Sequence, residues 1–204
     1  MQATRQIRHP ELTRQRLLEA AHREIYLHGF QGASLERILS ETGLSKGALY
    51  HHFSAKKALG IAVVEEVIGE RLRREWIEPL EHAAKPVDAL LQIIARKQAD
   101  ADAESIRLGC DLNNLIQEMS PLDEAFRHSL ANLIKRWRKS METALARAQT
   151  KGEIRPEIDC ARTALFLVSA IEGCTGLSKN QRSIEDYRGC LDGVKDYLQA
   201  LRVN

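Results

Sequence analysis

The sequence predicts an all-α fold of nine helices in two domains, a three-helix head built on a helix-turn-helix and a larger helical body. Three observations predict it. Apolar residues recur at spacings of three and four through most of the chain, the period of a helix with one buried side. The apolar complement is 44% of 204 residues and mainly Leu, Ala and Ile, with 5% aromatics, a mix that helices prefer. Starting and stopping residues also punctuate the periodic stretches: Ser34, Ser45, Ser120, Asp159 and Ser183 before them, Gly29, Gly43 and Gly152 after them.

Residues 1–9 carry no apolar periodicity and read as an arm. Arg5 and Arg8 on it are placed to reach a minor groove, and the plainer reading is a tail with incidental charge. The first helix is expected from about Pro10 to His28, with Leu17, Leu18, Ala21, Ile25 and Tyr26 on its inner side. Ser34 is placed to cap a short second helix with Leu35, Ile38 and Leu39 on one face, and Gly43 stops it. Ser45 caps a third, whose inner face carries Leu49 and Phe53. Two short helices around a Gly turn make a helix-turn-helix. Small residues open the third helix (Ser45, Gly47, Ala48), so its backbone can come close to a duplex. Donors rim it: Lys46, Tyr50, His51 and His52, with Lys56 and Lys57 following where phosphates would lie.

At these residues the chain resembles the TetR family of one-component transcriptional repressors. The matching core is Gly43 to Phe53, followed by Lys56 and Leu59, with Gly29-Phe30, Ala33 and Ser34 fitting the entry to the motif. Two positions depart from the usual pattern, Leu39 and Thr42, where Ala is common. The resemblance covers the first quarter of the chain strongly; beyond it only the helical layout agrees, plus Gly109-Cys110 near the start of a middle helix. It implies residues 1–54 as a DNA-binding domain and 55–204 as an effector-binding and dimerisation domain. It also implies a repressor released from a palindromic operator by a small molecule. Lys46 with Ser45, Gly47 and Ala48 would meet base edges, and Ser34, Tyr50, His51 and Lys57 would hold phosphates.

The body helices follow in order. A fourth is expected from Ala55 to Trp76, and Pro79 and Pro86 bracket a break after it. A fifth spans Val87 to Ala103, and a sixth Arg107 to Met119. Ser120, Pro121 and Asp123 read as the cap, first turn and acidic third position of a long seventh helix ending near Gly152. The eighth opens at Asp159, runs to about Leu177 and is apolar on two faces. The ninth opens at Ser183 and carries a coiled-coil-like seam. These last two helices are expected to form the dimer interface through Leu165, Val168, Ile184, Tyr187, Leu191, Val194 and Leu198, unless both faces are covered within one chain.

For the effector pocket, Asn113, Asn114, Gln117 and Glu118 bring polarity to an apolar middle helix, Glu172 interrupts the apolar eighth, and Trp76, Phe126, Trp137 and Phe166 are available as walls, with Cys110 nearby. The plainer reading places the amides at the surface and the rings in the core. A competing class is a thiol sensor using Cys110 or Cys174. The four cysteines are far apart with no Cys-x-x-Cys pair, so zinc is not expected and free thiols are. No phosphate loop, zinc-protease helix or nucleophile motif is present, so neither catalysis nor a cofactor is expected. Charge is polarised: residues 1–60 hold nine Lys/Arg against five acids, a net +4, leaving −2 for residues 61–204. No apolar run approaches the ~20 residues of a membrane span, which reads as a soluble, cytoplasmic protein.

Overall fold

A computed structural model describes residues 10–203. The Arg5 and Arg8 arm lies outside them. Helix α1, Pro10–Gly32, is interrupted at Gly29, whose φ of 73° only glycine adopts easily. Helices α2, Leu35–Thr42, and α3, Lys46–His52, pack on it through Leu17, Ile38, Leu49 and Phe53. Helix α4 spans 56–81 without a break, alternating α-helical turns with π-wound stretches at Val63–Ile68 and Arg73–Ile77. It is longer than its sequence suggests. The wide turn before Pro79 gives room to a ring that would otherwise press on the carbonyl of Glu75.

Helix α5 is Pro86–Asp100. The expected sixth helix is interrupted: α6 has a first segment, Ala103–Leu108, and a second, Asp111–Met119. Gly109 between them has a φ of 72°, so the backbone turns there and cannot carry a helix through. Helix α7 is Glu124–Thr150, and its cap is Asp123 rather than Ser120. Ser120 still has helical backbone angles, and the N–H groups of Leu122 and Asp123 bond back to the Met119 carbonyl. Asp123 Oδ1 is then the atom that accepts from Ala125 N (2.9 Å) and Phe126 N (3.2 Å). Helices α8, Cys160–Gln181, and α9, Ile184–Ala200, open on Asp159 and Ser183 as expected.

One apolar cluster runs from the head through the body. The α9 seam belongs to it. Leu191, Val194 and Leu198 are at most 5% exposed and Tyr187 is 9% exposed, with α9 packed on α5 and α8. Val168 of α8 is also buried. These five were expected at the dimer interface and are instead core, because a seam records that one side is covered, not by which neighbour. Each such Leu contributes about 1.5–3 kcal/mol relative to an exposed one. Ile184 is half-buried, and only Leu165 of the expected set stands clear.

Two further expectations change. Cys174 and Cys190 form a disulfide, since the α8–α9 turn at Arg182 (φ 54°) brings their Cα atoms to 5.6 Å. Cys110 and Cys160 are free. Helix α8, 22 residues long, is also long and apolar enough by composition to cross a membrane, with a mean hydropathy of 1.2 over its most apolar 18-residue window. Its inner side is nonetheless occupied by Ala164, Leu167, Ile171 and Cys174 packed in the body.

Candidate functional site

The head is set by its caps. Ser34 Oγ accepts from Glu36 N (3.2 Å) and Arg37 N (3.4 Å), Gly43 ends α2 at φ 65°, and Ser45 Oγ accepts from Ala48 N (3.1 Å). The departures from the family pattern are absorbed. Thr42 is buried, and its hydroxyl donates back to the Ile38 carbonyl at 2.9 Å, so it adds no unpaired polar atom. Leu39 is half-buried against the core. Glu24 is a structural residue that the motif does not reveal. It accepts from Ser34 N (2.8 Å) and Arg37 Nε (2.7 Å), fixing the start of α2 on α1. Burial presses its carboxyl up, but the bonds from Arg37 and Ser34 outweigh this and hold it below its ordinary value.

On the outer side of α3, Ser45, Lys46, Gly47, Tyr50 and His51 are exposed, Ala48 and His52 are half-buried, and Leu49 is fully buried. A Cβ on Gly47 would meet only Ser45 Oγ at 3.8 Å, so the surface there is open. Lys46 Nζ lies 6.0 Å from the Tyr50 ring and makes no ion pair among the described residues. Ser34 is half-buried at its capping task. Lys57 is exposed and pairs with Asp123 at 2.6 Å. Lys56 instead folds back over Phe30 (4.9 Å) and donates to the Gln31 carbonyl (3.1 Å).

The body holds a cavity of about 250 Å³ between α1, α4, α5, α6, α7, α8 and α9. Of the expected pocket residues, Trp76, Trp137, Cys110 and Glu172 line it. The two indoles meet at 4.9 Å. Asn113, Asn114 and Gln117 do not line it; they face a more open cleft between α1 and α6, where Asn114 donates to the Leu108 carbonyl and accepts from Lys179. Phe166 is not a wall either. It lies roughly 120° round α8 from Glu172 at 100° per residue, 48% exposed, with its ring 4.7 Å from Tyr197. Phe126 is wholly buried core. The residues not foreseen are Tyr26, Arg71, Glu75, Lys97, Thr175 and Tyr187.

The electrostatics of the cavity are specific. Burial pushes the Glu172 carboxyl up to about 7, and its Oε2 has no hydrogen-bond partner. Burial also drives the Cys110 thiol well above its ordinary value, with Glu172 and Asp111 adding to the effect. A thiol held protonated is a poor nucleophile, and Cys174 is already in a disulfide, so thiol sensing is not favoured.

Helix α6 ties this cavity to the head. Asp111, 3% exposed, accepts from His22 of α1 (2.6 Å) and pairs with Arg71 of the cavity wall. Burial pushes its carboxyl up, but His22 and Arg71 together outweigh that and hold it below its ordinary range. Tyr26 of α1 donates to the Gly109 carbonyl. Glu118, at the other end of α6, accepts from Phe30 N (2.8 Å) and Gln31 N (2.9 Å) where Gly29 interrupts α1.

A helix-turn-helix with an open recognition helix, carried on a helical body with an internal cavity, defines a DNA-binding regulator of the one-component kind. Comparison with known proteins is specific. The family profile described as bacterial regulatory proteins, tetR family, matches residues 17–63, and that described as tetracyclin repressor-like, C-terminal domain, matches residues 86–192. The chain is 30% identical over 166 residues to the HTH-type transcriptional regulator UidR of Escherichia coli (strain K12), covering 79% of each. It is 28% identical to the HTH-type transcriptional repressor DhaR of Mycobacterium sp. (strain GP1), covering 84% of this chain and 85% of that one. A TetR transcriptional regulator from Chloroflexus aurantiacus J-10-FL superposes with a TM-score of 0.84 at 25% identity, covering 96% of this chain and 98% of that one. The chain belongs to the TetR family and is a DNA-binding transcriptional regulator.

Proposed function

We propose that the protein is a homodimeric repressor that grips an inverted-repeat operator through residues 1–54 and is released when a small molecule enters the cavity of residues 55–204. The observation that carries this is the double attachment of α6: its Gly109 and Cys110 line the cavity, while Asp111 and Glu118 hold α1. A ligand that moves Arg71 or the Gly109–Cys110 turn changes the seat of α1, and with it the aim of α3. Such a ligand shifts the equilibrium only by its difference in affinity between the two arrangements.

Lys46, Ser45, Gly47 and Ala48 meet base edges in this reading, and Ser34, Tyr50, His51 and Lys57 hold phosphates, Lys57 by exchanging Asp123 for DNA. The second copy docks on the outer sides of α8 and α9. Leu165, Phe166 and Leu177 are exposed there, and the glycines at 173, 176, 189 and 193 leave open space that lets helices approach closely. Anisotropy titration of a labelled inverted repeat against salt tests the assignment. Tight binding that weakens steeply with salt and is lost on scrambled DNA is expected. Equal affinity for both duplexes contradicts it.

A further inference from the structure

We infer that the cavity takes a small organic cation, a protonated or quaternary amine on an apolar body, held against aromatic rings and paired with Glu172. The inference rests on reading the cavity as the effector site and names the chemistry of its occupant.

Charge accounting around the wall leads to this class. Arg71 is taken up by Asp111 and Lys97 by Glu75, each in a close ion pair. Both cations of the wall are therefore already neutralised. Glu172 is not: its Oε2 is buried and unpartnered, and the carboxyl makes no ion pair among the described residues. Asp100, exposed at the rim, adds a further negative charge without an ion-pair partner among the described residues. What is left over in the cavity is acidic.

The walls suit the same occupant. Tyr26, Trp76, Trp137 and Tyr187 surround the space. Aromatic faces attract organic cations, most strongly where water is excluded. An anionic ligand would find both cations of the wall already engaged and would have to share or break a largely buried ion pair while facing Glu172 and Asp111. Trp137 Nε1, also buried and unpartnered, adds a second feature. An ether, hydroxyl or carbonyl oxygen on the ligand would accept from it.

Binding of such a cation depends on pH through Glu172. The groups facing this carboxyl are Arg71 from α4, Lys97 from α5, Cys110 and Asp111 from α6, and Tyr187 from α9. With its carboxyl pushed up to about 7, Glu172 is neutral in mild acid and becomes the cation's counter-charge as pH rises. Affinity for a permanent cation therefore increases with pH up to about 7 and then levels off.

The chain's two tryptophans, Trp76 and Trp137, both line the cavity, so indole fluorescence reports its occupancy. The probes are benzyltrimethylammonium, benzoate and benzyl alcohol, which share a ring and differ in charge. The cation is expected to quench with about ten-fold or greater preference over the other two at pH 8. Its affinity should fall about ten-fold per pH unit below 7, as expected for one required deprotonation, while that of benzyl alcohol stays flat. Glu172→Gln should abolish both the preference and the slope, and Glu172→Asp should keep a weaker preference. Melting and operator binding of both variants check that they fold. Equal or tighter binding of benzoate, or an unchanged cation affinity in Glu172→Gln, overturns the assignment of charge and leaves the effector cavity standing. No quenching by any probe, in protein that still holds operator DNA, overturns the cavity reading as well.

Discussion

Lys46 stands on the outer side of α3 with no carboxylate paired to it among the described residues, and Lys57, in the first turn of α4, is held by Asp123. Their substitutions should therefore differ in kind. Lys46→Ala should cost roughly 1–3 kcal/mol on the operator and narrow its preference over scrambled DNA. Lys57→Ala should weaken both duplexes alike, and parallel titrations read the difference. Glu172 gives a stability prediction of definite sign. Its folded carboxyl titrates at about 7 against 4.5 for the free group, so between those values the folded chain keeps a proton that the unfolded chain has lost. Stability falls as pH rises through that window, by up to about 3 kcal/mol. Glu172→Gln, neutral throughout, should remove this fall, as urea midpoints at pH 5 and 8 would show. The exposure of Lys46, Gly47 and Tyr50 on the outer side of α3 was legible because their neighbours form one contiguous motif. Glu24, His22, Arg71 and Asp111 were not, because each acquires its meaning from a partner on another helix, for His22 and Asp111 at a separation of 89 residues.

Helix α6 is the element that touches both the cavity and α1, and the proposed coupling runs through it. Asp111→Asn keeps the shape and a weakened bond to His22 while removing the charge that holds Arg71. The variant should lose stability, by a few kcal/mol if Arg71 stays buried without its partner. It should still bind the operator but respond less to ligand, a split that titration with and without ligand detects. At the junction of head and body, Gly60 of α4 faces Phe30 and Phe126; a Cβ there would overlap the Phe30 ring and lie 2.8 Å from Phe126 Cζ. Gly60→Ala should cost about 1–3 kcal/mol by overpacking, read as a lowered melting temperature. Periodicity and caps placed most helices, since those signals are local. The interruption of α6 at Gly109 was hidden, because the residues on either side keep helical spacing and only the positive φ reveals the turn. The π-wound stretches of α4 left no sign in the sequence, and Asp123, read as the acidic third position after a Ser120 cap, is itself the cap because the chain first turns back on the Met119 carbonyl.

Across the whole molecule, the polarised charge and the all-helical plan were visible in the residues, but the assembly was not. The α9 seam, read alone, pointed to a partner chain; packed against α5 and α8 it is core, and the surface left for a second copy is the outer side of α8 around Leu165, Phe166 and Leu177. Phe166→Glu should therefore shift the protein toward monomer in sedimentation with its fold intact, whereas Leu191→Ala should destabilise the fold by about 2–5 kcal/mol. The account stands on two heads held at a fixed separation by the joined bodies. Operator affinity as a function of half-site spacing tests this most directly. It should peak for centres one duplex turn apart, about 34–36 Å, and drop sharply when five base pairs are inserted between the half-sites. Equal affinity at every spacing, or for a single half-site, would contradict it.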